Sequence, residues 1–353
     1  MNVNEISTPA LIVEKSIFEK NLYRMKELSE KLGLILRPHY KSNKCPYIAK
    51  KQIELGSVGV CSAKLGEAID LAESGIKDIL IANEIVEPAK IKVMAELSKK
   101  AVLTVLVDSK ENAIAIENAL EEADSYMRCY IELDTGMHRC GGTVEECIEL
   151  ASYITSALKR LTFGGIQAYA GHLSHEADEE KRHISVKAVV SEVKRLVKAL
   201  EERGIRVPIV SGISTGTILD KAEFSIYNEA QTGSYIFSDA SYNKLNHGFE
   251  NSLFVLTTVI SARPDRIVTD SGVKTCGVDQ GPPEVVGLED YKIELHEEHG
   301  LITKSGHNYK VCDRLRYIPG HCCSTINLYD KIYFVDGDEV VDIVPIVSRG
   351  KSQ

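Results

Sequence analysis

LGLILRPHYKSNK, residues 32–44, is an apolar run that ends abruptly in an arginine, a histidine and two lysines. The first five residues read as a short strand. A wholly apolar strand fits a parallel sheet that is covered on both faces. A strand that ends in clustered cations usually ends at something anionic.

Working outward from this stretch, the same pattern recurs. ALIVE (10–14), VGVCS (58–62), DILIA (78–82), VLTVLVD (102–108), CYIELD (129–134), GGIQAYAG (164–171), VPIVSG (207–212) and YIF (235–237) are short β-branched runs. Between them lie stretches such as FEKNLYRMKELSEKLG (18–33) and AKLGEAIDLAESGI (63–76), with apolar residues at three- and four-residue spacing. Eight or so strand–helix units predict an α/β fold, a (β/α)8 TIM-type barrel. A doubly wound open sheet is the alternative. After residue 245 the texture changes: LFVLTTVISARPDRIVTDSG, YKIELHEEHGLIT and KIYFVDGDEVVDIVPIV are strand-rich, with DSG, EHG and DGD as turn signals. The expected division is a barrel over 9–244 and a β-rich domain over 245–353, with residues 1–8 packing on the latter.

Composition narrows the function classes. The chain has 353 residues, 44% apolar and 26% charged, enough for a sizeable core. A net charge of -9 argues against nucleic acid or an acidic membrane surface as partner, so the basic cluster is local and aimed at a small anion. No apolar run approaches the roughly 20 residues of a membrane span. The N-terminus MNVNEISTPALIVEK lacks a basic region followed by an apolar one. Nine scattered cysteines in such a chain read as reduced thiols, which places the expectation in the cytoplasm.

In a barrel, chemistry collects at the C-terminal ends of the strands. Lys41, crowded by Arg37, His39 and Lys44, is expected to have its pKa lowered by like charge, which makes a usable amine nucleophile. CYIELDTGMHRCG brings Arg139 onto a glycine turn. GGIQAYAGHLSH offers Gln167, Tyr169, a ring that can stack on a planar ligand, and His175, a general base or ligand. VPIVSGISTGT and NEAQTGSY are successive glycine- and hydroxyl-rich turns, where backbone N–H and hydroxyl groups cradle phosphate. In YIPGHCCSTINLYD, His321 and Cys323 would share one face of an extended segment, an imidazole–thiolate pair suited to zinc. Taken singly, each cluster also fits an ordinary turn, loop or core residue. Together, an activated lysine, a phosphate cradle, a stacking tyrosine and a nearby arginine are the parts that hold pyridoxal phosphate.

TPALIVE, RPHYKSNK, DTGMHRCG, QAYAGHLSH, SGISTGT, QTGSYIF and PGHCCSTINLYD occur in the order seen in D-threonine aldolases and D-serine dehydratases, and the chain resembles that family along nearly its whole length. These are metal-dependent relatives of alanine racemase with the fold-type III architecture. The resemblance implies a pyridoxal-phosphate barrel followed by a β domain. It implies Lys41, not Lys44, as the lysine that bonds the cofactor aldehyde, with His39, Arg139, Gln167 and Tyr169 around the ring. Thr215, Gly216, Thr217, Gly233, Ser234 and Tyr235 would surround the phosphate, and His321 and Cys323 would hold a divalent metal. Cysteine ligation favours zinc over manganese or magnesium. Two departures stand out. The family usually has Thr-His where this chain has Ser42-Asn43, and the His-x-Cys pair is similar to the dehydratases while the Tyr169–His175 spacing is similar to the aldolases. The implied substrate is a β-hydroxy-D-amino acid. Retro-aldol cleavage, with Lys41, Tyr169 and His175 catalytic and His175 taking the hydroxyl proton, is preferred over elimination to a 2-oxo acid and ammonia. Amino-acid racemisation on the same scaffold is the third reading. Relatives pair as dimers, so a homodimer is expected.

Overall fold

The structure is a computed structural model, and it describes residues 1–220, 224–245 and 247–353. The chain divides into two compact units. One, the sheet unit, comprises Met1–Met25, Ser42–Tyr47 and Ser234–Gly350; the other, the barrel unit, comprises Lys26–Lys41, Ile48–Gly233 and Lys351–Gln353.

In chain order, β1 (Ala10–Glu14) and α1 (Lys15–Leu32) lead to β2 (Ile35–Leu36), after which helices and strands alternate. These are α2 (Pro46–Glu54), β3 (Val60–Ser62), α3 (Leu65–Glu73), β4 (Asp78–Glu84), α4 (Pro88–Leu97), β5 (Val102–Val107), α5 (Lys110–Ala123), β6 (Met127–Glu132), α6 (Val144–Ala157), β7 (Leu161–Gln167), α7 (Glu179–Glu201), β8 (Val210–Ile213) and β9 (Glu229–Ala230). The helices start where the sequence supplies caps. Thr143 and Glu146 form a capping box at α6, Ser109 caps α5, Asp178 caps α7, and Pro88 opens α4.

Within the barrel unit, β2 to β9 form one parallel sheet in the order β2-β9-β8-β7-β6-β5-β4-β3. The ends of that order meet. The Val58 N–H donates to Leu36 O at 3.0 Å, the Cys61 N–H donates to Pro38 O at 2.9 Å, and His39 bridges Cys61. The eight strands therefore curl into a ring, as the alternating pattern predicts. Its interior is filled by side chains such as Cys61, Leu80, Leu106 and Tyr130.

The sheet unit contains β1 together with β10 (Leu253–Arg263), β11 (Arg266–Thr269), β12 (Glu284–Val285), β13 (Lys292–Leu295), β14 (Gly300–Thr303), β15 (Arg314–Ile318), β16 (Lys331–Asp336) and β17 (Glu339–Pro345). Its main order is β13-β14-β11-β10-β1-β16-β17, with β15 on β10 and β12 on β15. Hairpins turn after HEEH between β13 and β14 and at Gly337 between β16 and β17. Ile12, Phe254, Leu256 and Val335 form its core, joined by Val3 and Ile6.

Two strands differ from the sequence expectation. ALIVE pairs antiparallel with β10 and parallel with β16, so it belongs to the antiparallel sheet, not the ring. A strand buried on both faces carries no mark of which sheet it will join. YIF is not a strand: Ser234–Ile236 is a 3-10 turn, and Tyr235, Ile236 and Phe237 are buried there without strand pairing. The ring's remaining member is β9, two residues long and too short to show a period. Among the described residues, no helix is long and apolar enough to cross a membrane.

Candidate active site

β2 ends at Leu36, and the chain then turns through a 3-10 segment, Tyr40–Ser42, that presents Lys41. The barrel unit holds a cavity of about 240 Å³, and the cavity gathers Lys41, His39, Arg139, Gln167 and Tyr169 from separate strand ends. Lys41 Nζ lies 5.8 Å from the centre of the Tyr169 ring, and the Tyr169 hydroxyl is 3.5 Å from Ser174 Oγ. The His39 ring accepts the Lys41 N–H through Nδ1 at 3.4 Å. Gln231 joins this wall: its Nε2 donates to Gln167 Oε1 at 2.5 Å and to Ser211 Oγ at 2.9 Å, and Ser211 donates to Glu229 at 2.8 Å.

Arg37 corrects the expected crowding at Lys41. Its guanidinium is buried and donates to Glu229 at 2.9 Å and Asp78 at 2.7 Å. Burial opposes its charge, yet the two carboxylates outweigh that and hold the arginine more firmly protonated than usual. Its charge is therefore spent inside the ring and does not bear on Lys41 as a free cation. Lys44 belongs to the sheet unit, where its Nζ is 3.5 Å from Ser348 O. A strand-end lysine looks crowded in sequence because i and i+4 are adjacent in the text, not because they share a face.

The same cavity is also lined by Glu84, Glu132 and Cys140, none of them among the expected site residues. Glu84 ends β4, Asp108 follows β5, and Glu132 ends β6. One ligand atom from each of Glu84, Asp108 and Cys140 lies within 4.8 Å of the others. Burial, then the hydrogen bond and charge of Glu84, push the Glu132 carboxyl well above the usual range, against the pull of Arg139. Arg139 Nη2 stands 3.9 Å from Glu132 Oε1. The Cys140 thiol is pushed up to about 12 by burial and by Glu84. The sequence signal that could have found this wall is the run of consecutive strands ending in an acid: ILIANE, VLTVLVD and CYIE.

The first hydroxyl-rich turn follows β8. Ser214 and Thr217 close it on themselves: their hydroxyls lie 3.0 Å apart, and the Thr217 N–H donates to Ser214 Oγ at 3.3 Å. Between them, Thr215 Oγ1 is buried and has no hydrogen-bond partner among the described residues. A Cβ at Gly216 would fall 1.9 Å from Ser174 O, so only glycine lets the turn come this close. An orphaned buried hydroxyl in a tight glycine turn fits a missing anion acceptor such as phosphate. Thr217, next in the turn, and Gly233, in the second glycine turn, are buried in the same unit. Neither this turn nor His175 is among the residues that line the cavity. His175 follows the short turn Gly171–Leu173 and is half-buried.

Ser234 and Tyr235 lie in the sheet unit. Tyr235 packs its ring 5.7 Å from Phe249, and Ser234 Oγ is 3.7 Å from Cys323 Sγ. The segment with His321 and Cys323 is not extended as expected. His321 is the residue before a short helix, α8 (Cys322–Ile326). The Cys322 N–H at the helix start donates to Asp239 at 2.9 Å, and the Thr325 hydroxyl donates back to His321 O at 2.7 Å. These side-chain bonds curl the segment and override the alternation that a strand would impose. The two side chains stay within reach of each other. The His321 ring hydrogen-bonds Cys323, and burial is outweighed by Cys323 and Asp279, which raise the imidazole to about 9. Imidazole and thiol within hydrogen-bond reach, one a soft donor, fit a divalent ion such as zinc.

A parallel ring with a strand-end lysine over a tyrosine, a hydroxyl turn lacking its acceptor and an antiparallel unit with an imidazole–thiol pair define the class: a fold-type III, alanine racemase-like enzyme. The alanine racemase N-terminal domain family matches residues 13–241, and the putative serine dehydratase domain matches residues 252–335. The chain belongs to this family, which is pyridoxal-phosphate dependent, and it is a lyase. A 3-hydroxy-D-aspartate aldolase of Paracoccus denitrificans (strain Pd 1222) is 38% identical, covering 99% of this chain and 94% of its own. A D-threonine aldolase of Arthrobacter sp is 33% identical with the same coverage. The crystal structure of D-threonine aldolase from Filomicrobium marinum matches at a TM-score of 0.96 and 30% identity, over 99% of this chain and 97% of that one.

Proposed function

We propose that this lyase cleaves β-hydroxy-D-amino acids by a retro-aldol reaction, releasing glycine and an aldehyde. The observation that carries the aldol reading is the full-length likeness to aldolases of two substrate types, at 33% and 38% identity. Pyridoxal phosphate supplies an electron sink for the pair left on Cα, and a divalent ion supplies Lewis acidity at the β-oxygen.

The residues take these parts. Lys41 provides the amine that holds the cofactor, and Tyr169 flanks it, with the Lys41 Nζ over its ring at 5.8 Å. The amide pair Gln167–Gln231 is locked to Ser211 and Glu229, so it presents fixed polar edges to the cavity. Thr215 would donate its free hydroxyl to the phosphate, with Gly216, Thr217, Gly233, Ser234 and Tyr235 completing that end. His321 and Cys323 would hold the ion, with zinc preferred over manganese or magnesium because one donor is a thiol. His175 would take the β-hydroxyl proton. A homodimer and a cytoplasmic place complete the proposal.

Elimination is the second reading. It is favoured by the putative serine dehydratase domain match over residues 252–335 and by a thiol, not a carboxylate, at the second metal position. Product analysis separates the two. Purified protein is incubated with D-threonine and with D-3-hydroxyaspartate, with and without chelator. Glycine with acetaldehyde or glyoxylate is the expected result, and chelation should abolish it. Ammonia with a 2-oxo acid would overturn the aldol reading. Racemised substrate that ignores the chelator would overturn both.

A further inference from the structure

The geometry assigns Asp279 as the positioning residue for His321, an inference that rests on the proposed metal site at His321 and Cys323. The His321 Nδ1–H donates to Asp279 Oδ2 at 2.6 Å. With Nδ1 committed, the nitrogen left for an ion is Nε2. Metal-bound histidines are commonly fixed in this way, by a carboxylate on the ring nitrogen that does not face the ion; the contact sets the tautomer and the ring plane and makes the ligand more basic.

Asp279 is itself held. Its second oxygen accepts the Ser324 hydroxyl at 2.5 Å, one residue beyond Cys323. The loop that carries it is pressed onto α8: the Gly277 N–H donates to Thr325 Oγ1 at 2.9 Å, and a Cβ at Gly277 would fall 2.0 Å from Ser324 Oγ. Glycine at 277 therefore lets the loop approach closely enough for Asp279 to reach the imidazole. Asp279, His321, Cys323 and Ser324 thus form one connected unit in which the carboxylate orients the ligand and the hydroxyl orients the carboxylate. None of the sequence motifs marks Asp279, which stands 42 residues before its partner. Its side chain is half-exposed, at 52%, so removing it opens no core cavity.

The test uses the cofactor-loaded, metal-stripped protein, with zinc titrated in and binding read by calorimetry. A cadmium titration then reports sulfur ligation through the charge-transfer absorbance. Asp279→Ala should weaken zinc by about 10- to 100-fold while the cadmium–sulfur band still appears at saturation. Asp279→Asn keeps an oxygen that accepts from Nδ1–H and should recover most of that loss. Thermal unfolding in chelator should change only slightly in Asp279→Ala, because its contacts are half-exposed, whereas a merely structural role would lower stability and leave zinc affinity unmoved. If His321→Ala and Cys323→Ala lose zinc while Asp279→Ala binds it as wild type does, the positioning role falls and the metal site stands. If all the variants bind zinc alike, the metal site falls, and the role of Asp279 with it.

Discussion

The cavity of the barrel unit is lined by two contrasting groups of residues. From β2 and β7 come Lys41, His39, Gln167 and Tyr169, a cationic, aromatic and amide group. From the ends of β4 and β6 come Glu84 and Glu132, with Asp108 and Cys140 beside them, an acidic group. The first is written in short motifs, because each of its members sits within a few residues of another. The second is dispersed, one acid to a strand–helix unit, and exists only because the ring brings neighbouring strand ends together. In the proposed function, covalent anchoring falls to the first group. In the second, burial and Glu84 push the Glu132 carboxyl well above the ordinary carboxylate range.

Four substitutions test this contrast. Lys41→Ala should remove both the visible absorbance of bound cofactor and all activity. A yellow species that survives would make Lys44 the anchoring lysine. Arg37→Met tests whether the third cation of the RPHYK motif is structural. It leaves Glu229 buried and unpaired, with both partners at most 4% exposed, and should cost about 3–5 kcal/mol in a denaturant titration. A loss of activity without loss of stability would return Arg37 to the cationic group.

Glu132→Gln tests the acidic group through pH. A carboxyl whose folded pKa is raised contributes stability in its protonated form. That contribution is present below the ordinary carboxylate range and is lost as pH rises through the raised pKa. Unfolding midpoints of the wild type should therefore fall over that window, while those of Glu132→Gln fall less. Parallel profiles would show that Glu132 is ionised in the folded protein. The smallest effect is expected at Thr215→Val. It should weaken cofactor binding by about 10-fold, one hydrogen bond to a charged acceptor, and leave the cofactor-free protein no less stable because the hydroxyl has no partner there. A destabilised cofactor-free protein would mean that the hydroxyl serves the fold instead.

The fold was largely legible because its signal is local and repeated. Apolar runs and amphipathic helices state the ring's period without reference to the rest of the chain. The exceptions have physical reasons. β1 is as apolar as a ring strand, so only its pairing with β10 and β16 reveals its sheet. β9 is two residues long, and its strand character comes from its neighbours. The candidate site was legible to a similar degree. Lys41 and Tyr169, which stand in separate motifs, line one cavity, whereas the extended form of the His321–Cys323 segment was lost to hydroxyl and carboxylate bonds that curl it.

By itself, the sequence determined the class of fold and marked the lysine, the tyrosine, the hydroxyl turns and the imidazole–thiol pair as candidates, because each motif depends on residues close in the chain. Only the tertiary structure decided that Arg37 is neutralised by Glu229 and Asp78, that carboxylates from β4 and β6 share the cavity with Lys41, and that Asp279 holds His321. Those pairings join residues far apart in sequence, and charge acts through distance in space, which the order of residues does not record.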